Sequence, residues 1–469
     1  MRQAGNHLAI LGGGPGGYEA ALVAAQLGAR VTVVDSDGLG GACVLTDCVP
    51  SKTLIATSET MGLMRGAGGL GIRIEGYERW GEPAGPVTVA AGRLNTRVKA
   101  LAQAQSADVA ARLAAEGVDV ISGRGRLTGP HTVSVDGHDI AAGVVLVATG
   151  GVPRVLPGAE PDGERILNWR HLYDLGELPP ELIVVGSGVT GAEFASAYQA
   201  LGSHVTLVSS REHVLPHEDP DAAVVVEDVF RRRGMTVLSR SRAAGVQRKG
   251  DRVVVTLADG RSVHGSHCLL TVGLEPATRG LGLAEAGVTL DDRGFAVVDR
   301  VSRTSAPGVY AAGDCTGVMM LASVAAMQGR IAMWHALGEA VQPLRLGRVA
   351  ATIFTEPEIA TVGVSQRAVE AGTVDAAVVK LPLATNARAK MQGFRDGFVK
   401  LFARRSSGVV LGGVVVAPRA SELILAVSLA VEHHVTVDQM AHTFAVYPSL
   451  SGSLTEAARR LMRPGTAEN

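Results

Sequence analysis

LAILGGGPGGYEAALVAAQLGARVTVVD, residues 8–35, passes from an apolar run through glycines into an alanine-rich segment, then a second apolar run ending on an acid. That order predicts strand, tight turn, helix and strand. Gly12, Gly14 and Gly17 fit the pattern G-x-G-x-x-G. The first permits the turn, the second lets a pyrophosphate approach the backbone, and the third seats the helix on the sheet. The helix start then offers unpaired N–H groups to the phosphates. Asp35 closes the second strand eighteen residues after Gly17, where a carboxylate can bond a ribose diol. Glycine loops also open ordinary α/β helices, but here strand, helix, second strand and acid agree on a dinucleotide cradle.

The pattern recurs at LIVVGSGVTGAEFASAYQALGSHVTLVSSR, residues 182–211, with Gly186, Gly188 and Gly191. The same offset lands on Ser209, so the acid is absent, and Ser209, Ser210 and Arg211 are neutral or basic. Hydroxyls and a guanidinium can bind a 2′-phosphate that a carboxylate would repel. This favours NADPH, with NADH as the alternative. Arg211 as a solvated loop residue is the plainer reading. The first cradle, with its acid, suits the adenosine half of FAD. A flavin between a hydride donor and an acceptor is the natural arrangement of two such sites.

The 469-residue chain is too long for one core and implies two to four domains. A formal net charge of −1 gives no case for nucleic acid or an anionic membrane surface. No run of apolar residues is long enough to span a bilayer, LILAVSLAV (423–431) included, and the N-terminal apolar run is too short for a signal peptide. The expected location is the cytoplasm. Of four cysteines, Cys268 and Cys315 read as small buried hydrophobes. No metal ligands are assigned.

GGACVLTDCVPSK, residues 40–52, sets Cys43 and Cys48 five apart. In a regular helix five residues turn roughly 500°, leaving the two about 140° apart in azimuth. A bridge, which needs Cα atoms within about 7 Å, therefore requires an irregular turn, and Gly40, Gly41 and Thr46-Asp47 permit one. Pro50 suits the early helix, and a thiolate there is stabilised by the helix dipole.

These features, taken together, resemble the flavoprotein pyridine nucleotide–disulfide oxidoreductases, among them dihydrolipoamide dehydrogenase, glutathione reductase and soluble transhydrogenase. The likeness rests on GGACVLTDCVPSK, on VLVATGGVPR (145–154) and TVGLEPAT (271–278) as crossings between nucleotide domains, and on GVYAAGDCTG (308–317). ATIFTEPEIATVGVS and GFVKLFARRSSGVVLGGVVVAP resemble the C-terminal interface domain through which members form homodimers. The implied fold is α/β: two Rossmann-like dinucleotide-binding domains plus an α+β interface domain. The implied order is an FAD domain (1–155), an NAD(P) domain (156–278), a segment completing the FAD domain (279–345) and the interface domain (346–469). Residues 238–273 alternate apolar and polar around Asp259-Gly260, as a hairpin does. Residues 85–117 carry apolar residues at helical spacing and are expected to form a long packing helix.

The resemblance implies that Cys48 lies beside the flavin and that Cys43 exchanges with substrate. It implies Lys52 near the flavin N5 edge with Glu193 as its acid. It further implies cofactor contacts at Gly41, Thr149, Gly150, Gly273, Gly313, Asp314, Leu321 and Ala322, with Asp314 on the ribityl chain. Read singly, Lys52 is a solvated charge and Glu193 a helix-surface acid.

The chain departs from the reductases in VYPSLSG. Tyr447 precedes Pro448 where they carry the catalytic His, and Gly452 replaces the orienting Glu. Imidazole titrates near 6.5 and a phenol near 10, so Tyr447 is a poor base at pH 7. His433, His434 and His442 are out of register and read as helix-surface residues; Ser323 replaces a His that some members carry. Loss of acid–base help of about 10²–10⁴-fold predicts poor lipoamide and glutathione turnover. The implied reaction is NAD(P)H reduction of a quinone or similar small acceptor through FAD, with Tyr447 placed by a partner subunit against a quinone oxygen or simply packing. The alternatives are a soluble transhydrogenase, a disulfide reductase using Cys43 and Cys48 with another base, and a non-enzymatic flavin-bearing scaffold.

Overall fold

The computed structural model describes residues 7–72 and 88–462. The opening stretch folds in the predicted order: β1 (His7–Leu11), α1 (Pro15–Gln26) and β2 (Arg30–Asp35). The strand-to-helix turn is tight because it is made of glycine. Gly12 sits at φ +99°, and a Cβ there would lie 2.3 Å from the Ala148 carbonyl oxygen. A Cβ on Gly17 would lie 1.8 Å from the Gly12 carbonyl oxygen, so only hydrogen lets the helix settle on the sheet. Pro15 takes the first turn, where its missing N–H costs little. The sheet has five parallel strands, ordered Val309–Ala311, Val144–Val147, β1, β2 and β3 (Asp119–Ser122). A strand far downstream thus completes the sheet that residue 7 begins.

Between β2 and β3 lie α2 (Gly41–Leu45), α3 (Cys48–Gly66) and α4 (Ala91–Ala115). α4 is the expected long helix, begun later than its periodicity implied: Thr88 to Ala90 are not helical, and residues 85–87 lie outside the described residues. Its buried face carries Leu94, Val98, Ala102, Val109 and Leu113.

The second glycine stretch repeats the first. Strand Glu181–Val185, α5 (Val189–Leu201) and strand His204–Val208 sit in another parallel sheet of five, with α6 (Pro220–Arg232) following. A Cβ on Gly191 would lie 1.9 Å from the Gly186 carbonyl oxygen, the same steric signature as Gly17. Residues 238–273 form an antiparallel meander of Ala243–Lys249, Arg252–Leu257 and Ser262–Gly265, and Asp259-Gly260 turns between the last two. The stretch then rejoins the parallel sheet through His267–Leu270 rather than ending as a hairpin. The chain crosses between the two sheets at Gly151–Pro153 and Leu274–Pro276, which pair with each other. α7 (Ala322–Ala336) returns to pack on α1, where a Cβ on Gly329 would lie 2.1 Å from the Gly16 carbonyl oxygen.

The C-terminal sheet is antiparallel, ordered Ala350–Ile353, Glu358–Gly363, Val410–Ala417, Phe398–Arg404 and Ala376–Pro382. Lys400, fully buried on it, reaches Asp219 at the start of α6 (2.7 Å) and Asp221 (2.7 Å). The apolar run at 423–431 is part of helix Ala420–Glu432, which packs on this sheet. No helix among the described residues is long and apolar enough to cross a membrane.

Candidate active site

A bridge between Cys43 and Cys48 would demand a break, and the fold supplies one. α2 ends at Leu45, Thr46 and Asp47 intervene, and α3 opens on Cys48. The Asp47 N–H donates to the Ala42 carbonyl (2.8 Å), and the Asp47 carbonyl accepts from the Ser51 N–H (2.7 Å). A Cβ on Gly41 would lie 2.8 Å from the Gly14 Cα, so the cysteine loop rests directly on the first cradle. Cys43 and Cys48 are free thiols, half-buried and hydrogen-bonded to each other. That bond holds Cys43 below the usual cysteine range, against the opposing effect of burial. The same bond, with burial, pushes Cys48 far up. Lys52 assists the Cys43 thiolate, Asp47 and Asp314 oppose it, and no histidine stands among its chief influences.

Lys52, one turn into α3, donates to the Glu193 carboxylate of α5 at 2.8 Å. The other Glu193 oxygen accepts the Phe354 N–H at 2.9 Å. Glu193 is buried, and the Lys52 ammonium also lies 4.9 Å from the Phe354 ring centroid. Burial works against the ammonium, but the Glu193 charge and hydrogen bond outweigh it, so Lys52 is held above its ordinary value. Three elements distant in sequence therefore meet beside the thiols.

The residues around the first cradle fit a flavin dinucleotide. Gly14 caps α1 with no side chain, and a Cβ there would meet nothing nearer than the Gly41 Cα at 3.9 Å. The Thr149 hydroxyl is buried without an oxygen or nitrogen partner among the described residues, beside the Cys315 thiol. Asp35 shapes the glycine loop: its carboxylate accepts from the N–H groups of Gly13 (2.6 Å), Asp37 (2.9 Å) and Gly38 (2.6 Å). Asp314 opens a short turn after the strand Val309–Ala311, and burial, then Asp47, lifts its carboxyl to about 6. Leu321 and Ala322 begin α7, with Ser323 exposed. Gln328, unsuspected in the sequence, is buried in α7 and accepts the Gly313 N–H at 2.9 Å; helical periodicity marks it only as another core position.

The second cradle fits a nicotinamide dinucleotide: Gly188 caps α5 bare, and Cβ atoms on Gly188, Gly150 and Gly273 would meet nothing within 4 Å. Ser209 is fully buried, its hydroxyl spent on Ser187 Oγ (2.7 Å) and the Arg211 backbone. It shapes the loop, because the residue after the strand turns inward. Ser210 and Arg211 are exposed, and Arg211 forms no ion pair with a described residue. Glu212, adjacent, is paired with Arg240.

The chain does not bring Tyr447 to its own thiols. Tyr447 is 85% exposed on a loop with Phe444 at 103% and Val446 at 77%. It lines a cleft with Leu381, Asn386 and Ser453. His433, His434 and His442 are exposed at helix ends; His442 Nδ1 bonds the Asp438 carbonyl at 2.8 Å. Cys268 and Cys315 are fully buried, as read. The sequence treated Asp47 only as a turn residue and overlooked Arg170 and Tyr173. Asp47 feels the charges of Lys52, Glu193 and Arg170, and Tyr173 feels those of Asp47, Cys48 and Glu193. Nothing local marks them, since the charges that act on one another belong to the break after α2 and to the short turn Trp169–Asp174.

The model for pyridine nucleotide-disulphide oxidoreductases matches residues 6–329, and that for the dimerisation domain of the same family matches residues 349–458. A NAD(P)H dehydrogenase (quinone) of Mycobacterium tuberculosis (strain ATCC 25618 / H37Rv) is 57% identical, covering 97% of this chain and 94% of that protein. A dihydrolipoyl dehydrogenase of Chlorobaculum tepidum is 34% identical, covering 96% of each chain. The crystal structure of LpdA from M. tuberculosis superposes with a TM-score of 0.92 at 56% identity, covering 98% of this chain and 100% of that one.

Proposed function

This chain belongs to the pyridine nucleotide-disulphide oxidoreductases, and on that footing we propose that it is an FAD-dependent NAD(P)H:quinone oxidoreductase with poor disulfide turnover. The observation that carries the reading is the 57% identity, over nearly the whole chain, to a protein named NAD(P)H dehydrogenase (quinone). The replacement of the motif's imidazole by Tyr447 agrees with it. FAD, when bound, supplies the two-electron carrier between the nicotinamide donor and the acceptor.

The chain's own residues then have distinct tasks. The bare caps of α1 and α5 present backbone N–H groups to the two pyrophosphates. Gly41 and Thr149 would close on the flavin, and Asp314 would hold its ribityl chain. Lys52, fixed by Glu193, holds a positive charge beside the thiols and would present it to a bound flavin. Cys48 would lie against the flavin, and Cys43 would be the thiol that exchanges with a substrate. Ser210 and Arg211 receive the 2′-phosphate, giving a preference for NADPH. Two copies form a homodimer, and the exposed Phe444, Val446 and Tyr447 reach the partner. The protein works in the cytoplasm on a diffusible quinone.

A steady-state screen tests this: NADPH and NADH crossed with menadione, lipoamide and glutathione disulfide. Menadione turnover dominates if the reading is right, and strong lipoamide turnover ends it. The paired thiols favour disulfide reduction as the second reading. Cys43→Ser separates the two, since a quinone reductase keeps menadione turnover within a few-fold and a disulfide reductase loses its activity.

A further inference from the structure

In an open parallel sheet, ligands gather at the carboxyl ends of the strands. At that end of the second sheet, strand His204–Val208 lies between Glu181–Val185 and strand Thr236–Leu238, with Val208 level with Val185 and Leu238. The Gly186 N–H donates to the Val208 carbonyl at 3.0 Å, so the second glycine turn opens on the same edge. Residues 209–212 and 239–241 leave the two strands side by side and stay joined. The Ser209 N–H donates to the Leu238 carbonyl (2.9 Å), the Arg240 N–H to the Arg211 carbonyl (2.8 Å) and the Ser241 N–H to the Ser209 carbonyl (2.7 Å). The segment that carries Ser210 and Arg211 therefore has a second wall. Within that wall Arg240 sits at φ +52°, a left-handed conformation that a residue with a Cβ adopts at a cost. Its guanidinium pairs with the Glu212 carboxylate, next to Arg211. The two side chains are 73% and 61% exposed, and an ion pair so open to water contributes little to stability. It does not offset a strained backbone. The neighbouring Ser239 hydroxyl is buried and has no partner among the described residues, so the wall carries hydrogen-bonding capacity that the chain itself leaves unused.

We propose that Arg240 is a second specificity residue for NADPH: it releases Glu212 and takes the 2′-phosphate together with Arg211. This rests on the NADPH preference proposed above. The exchange is favourable on charge. A phosphate monoester carries about −1.5 to −2 at pH 7 and three strong acceptor oxygens, whereas the Glu212 carboxylate offers one charge and two oxygens. A planar guanidinium meets either with two parallel bonds. Glu212 is then the member of the pair that opposes the phosphate, both by repulsion and by occupying Arg240. With NADH, which has a free hydroxyl at that position, the pair stays closed.

The test is calorimetric titration of the holoprotein at pH 8 with adenosine 2′,5′-bisphosphate and with 5′-AMP, which differ only in the 2′-phosphate. The preference for the bisphosphate is expected to fall about tenfold in Arg240→Gly, the worth of one charge-assisted bond. Glycine accepts the positive φ without strain, and 5′-AMP controls for any change in the loop itself. Glu212→Gln, which frees Arg240 and removes the opposing charge, is expected to raise the preference about 3-fold. The KM for NADPH should follow the same order. A preference unmoved in Arg240→Gly, or one that fails to rise in Glu212→Gln, overturns the assignment. Wild-type protein that binds the two nucleotides alike overturns the NADPH preference instead.

Discussion

Glu193→Gln isolates the charge of the pair that anchors the centre. The amide keeps the shape and can still accept the Phe354 N–H (2.9 Å in the native fold), but leaves the Lys52 ammonium without its counter-charge. Removing one partner of a buried ion pair typically costs about 3–5 kcal/mol. The Lys52 side chain is 32% exposed and Glu193 only 5%, so solvent screens part of that loss and about 1–3 kcal/mol remains. The assay is the urea midpoint of the holoprotein at pH 8, with m-values checked for constancy. Glu193→Ala should cost more than Gln, because it also strands the Phe354 N–H. The double variant Lys52→Met/Glu193→Gln should recover part of the loss, since no unpaired charge remains inside. The sign with pH follows from Lys52. Its folded value lies above its unfolded one, so its contribution is full below about pH 10 and fades as pH rises through the higher folded value. A Glu193→Gln midpoint equal to wild type, or a double variant that recovers nothing, would refute the idea that this charge pair organises the centre.

Asp314 titrates near 6 in the folded chain, above its unfolded value of about 3.9. The flavin-free protein therefore loses stability as pH rises from 4 through 6, by about 1–2 kcal/mol after allowance for solvent. Asp314→Asn should flatten that stretch of the urea midpoint against pH; an unchanged slope would place the titration elsewhere. Arg211→Ala should raise KM for NADPH about tenfold while leaving NADH within about 2-fold, the worth of one charge-assisted bond to phosphate. Equal changes for both donors would remove Arg211 from 2′-phosphate recognition. Gly17→Ala forces a Cβ to 1.8 Å from a backbone oxygen, and the expressed protein should lack bound FAD, read as the loss of visible flavin absorbance.

Residues 8–35 and 182–211 declared two nucleotide units on their own. The constraint there is local: a strand turning into a helix within six residues leaves no room for Cβ at Gly17 or Gly191. The broken turn between Cys43 and Cys48 was legible as the condition for a bridge, since a regular helix would hold the two apart. The partnership of Lys52 with Glu193 rested on likeness to a family, and its geometry had to come from the fold. The inward turn of Ser209, the distance of Tyr447 from its own thiols and the company of Asp47 were legible nowhere. Each depends on which surfaces of separate elements meet, and a carboxylate in a loop reads as solvated until another segment covers it. Backbone sterics act between neighbours and leave their mark in the order of residues; burial and charge act between chain-distant groups and exist only once the chain has closed around them.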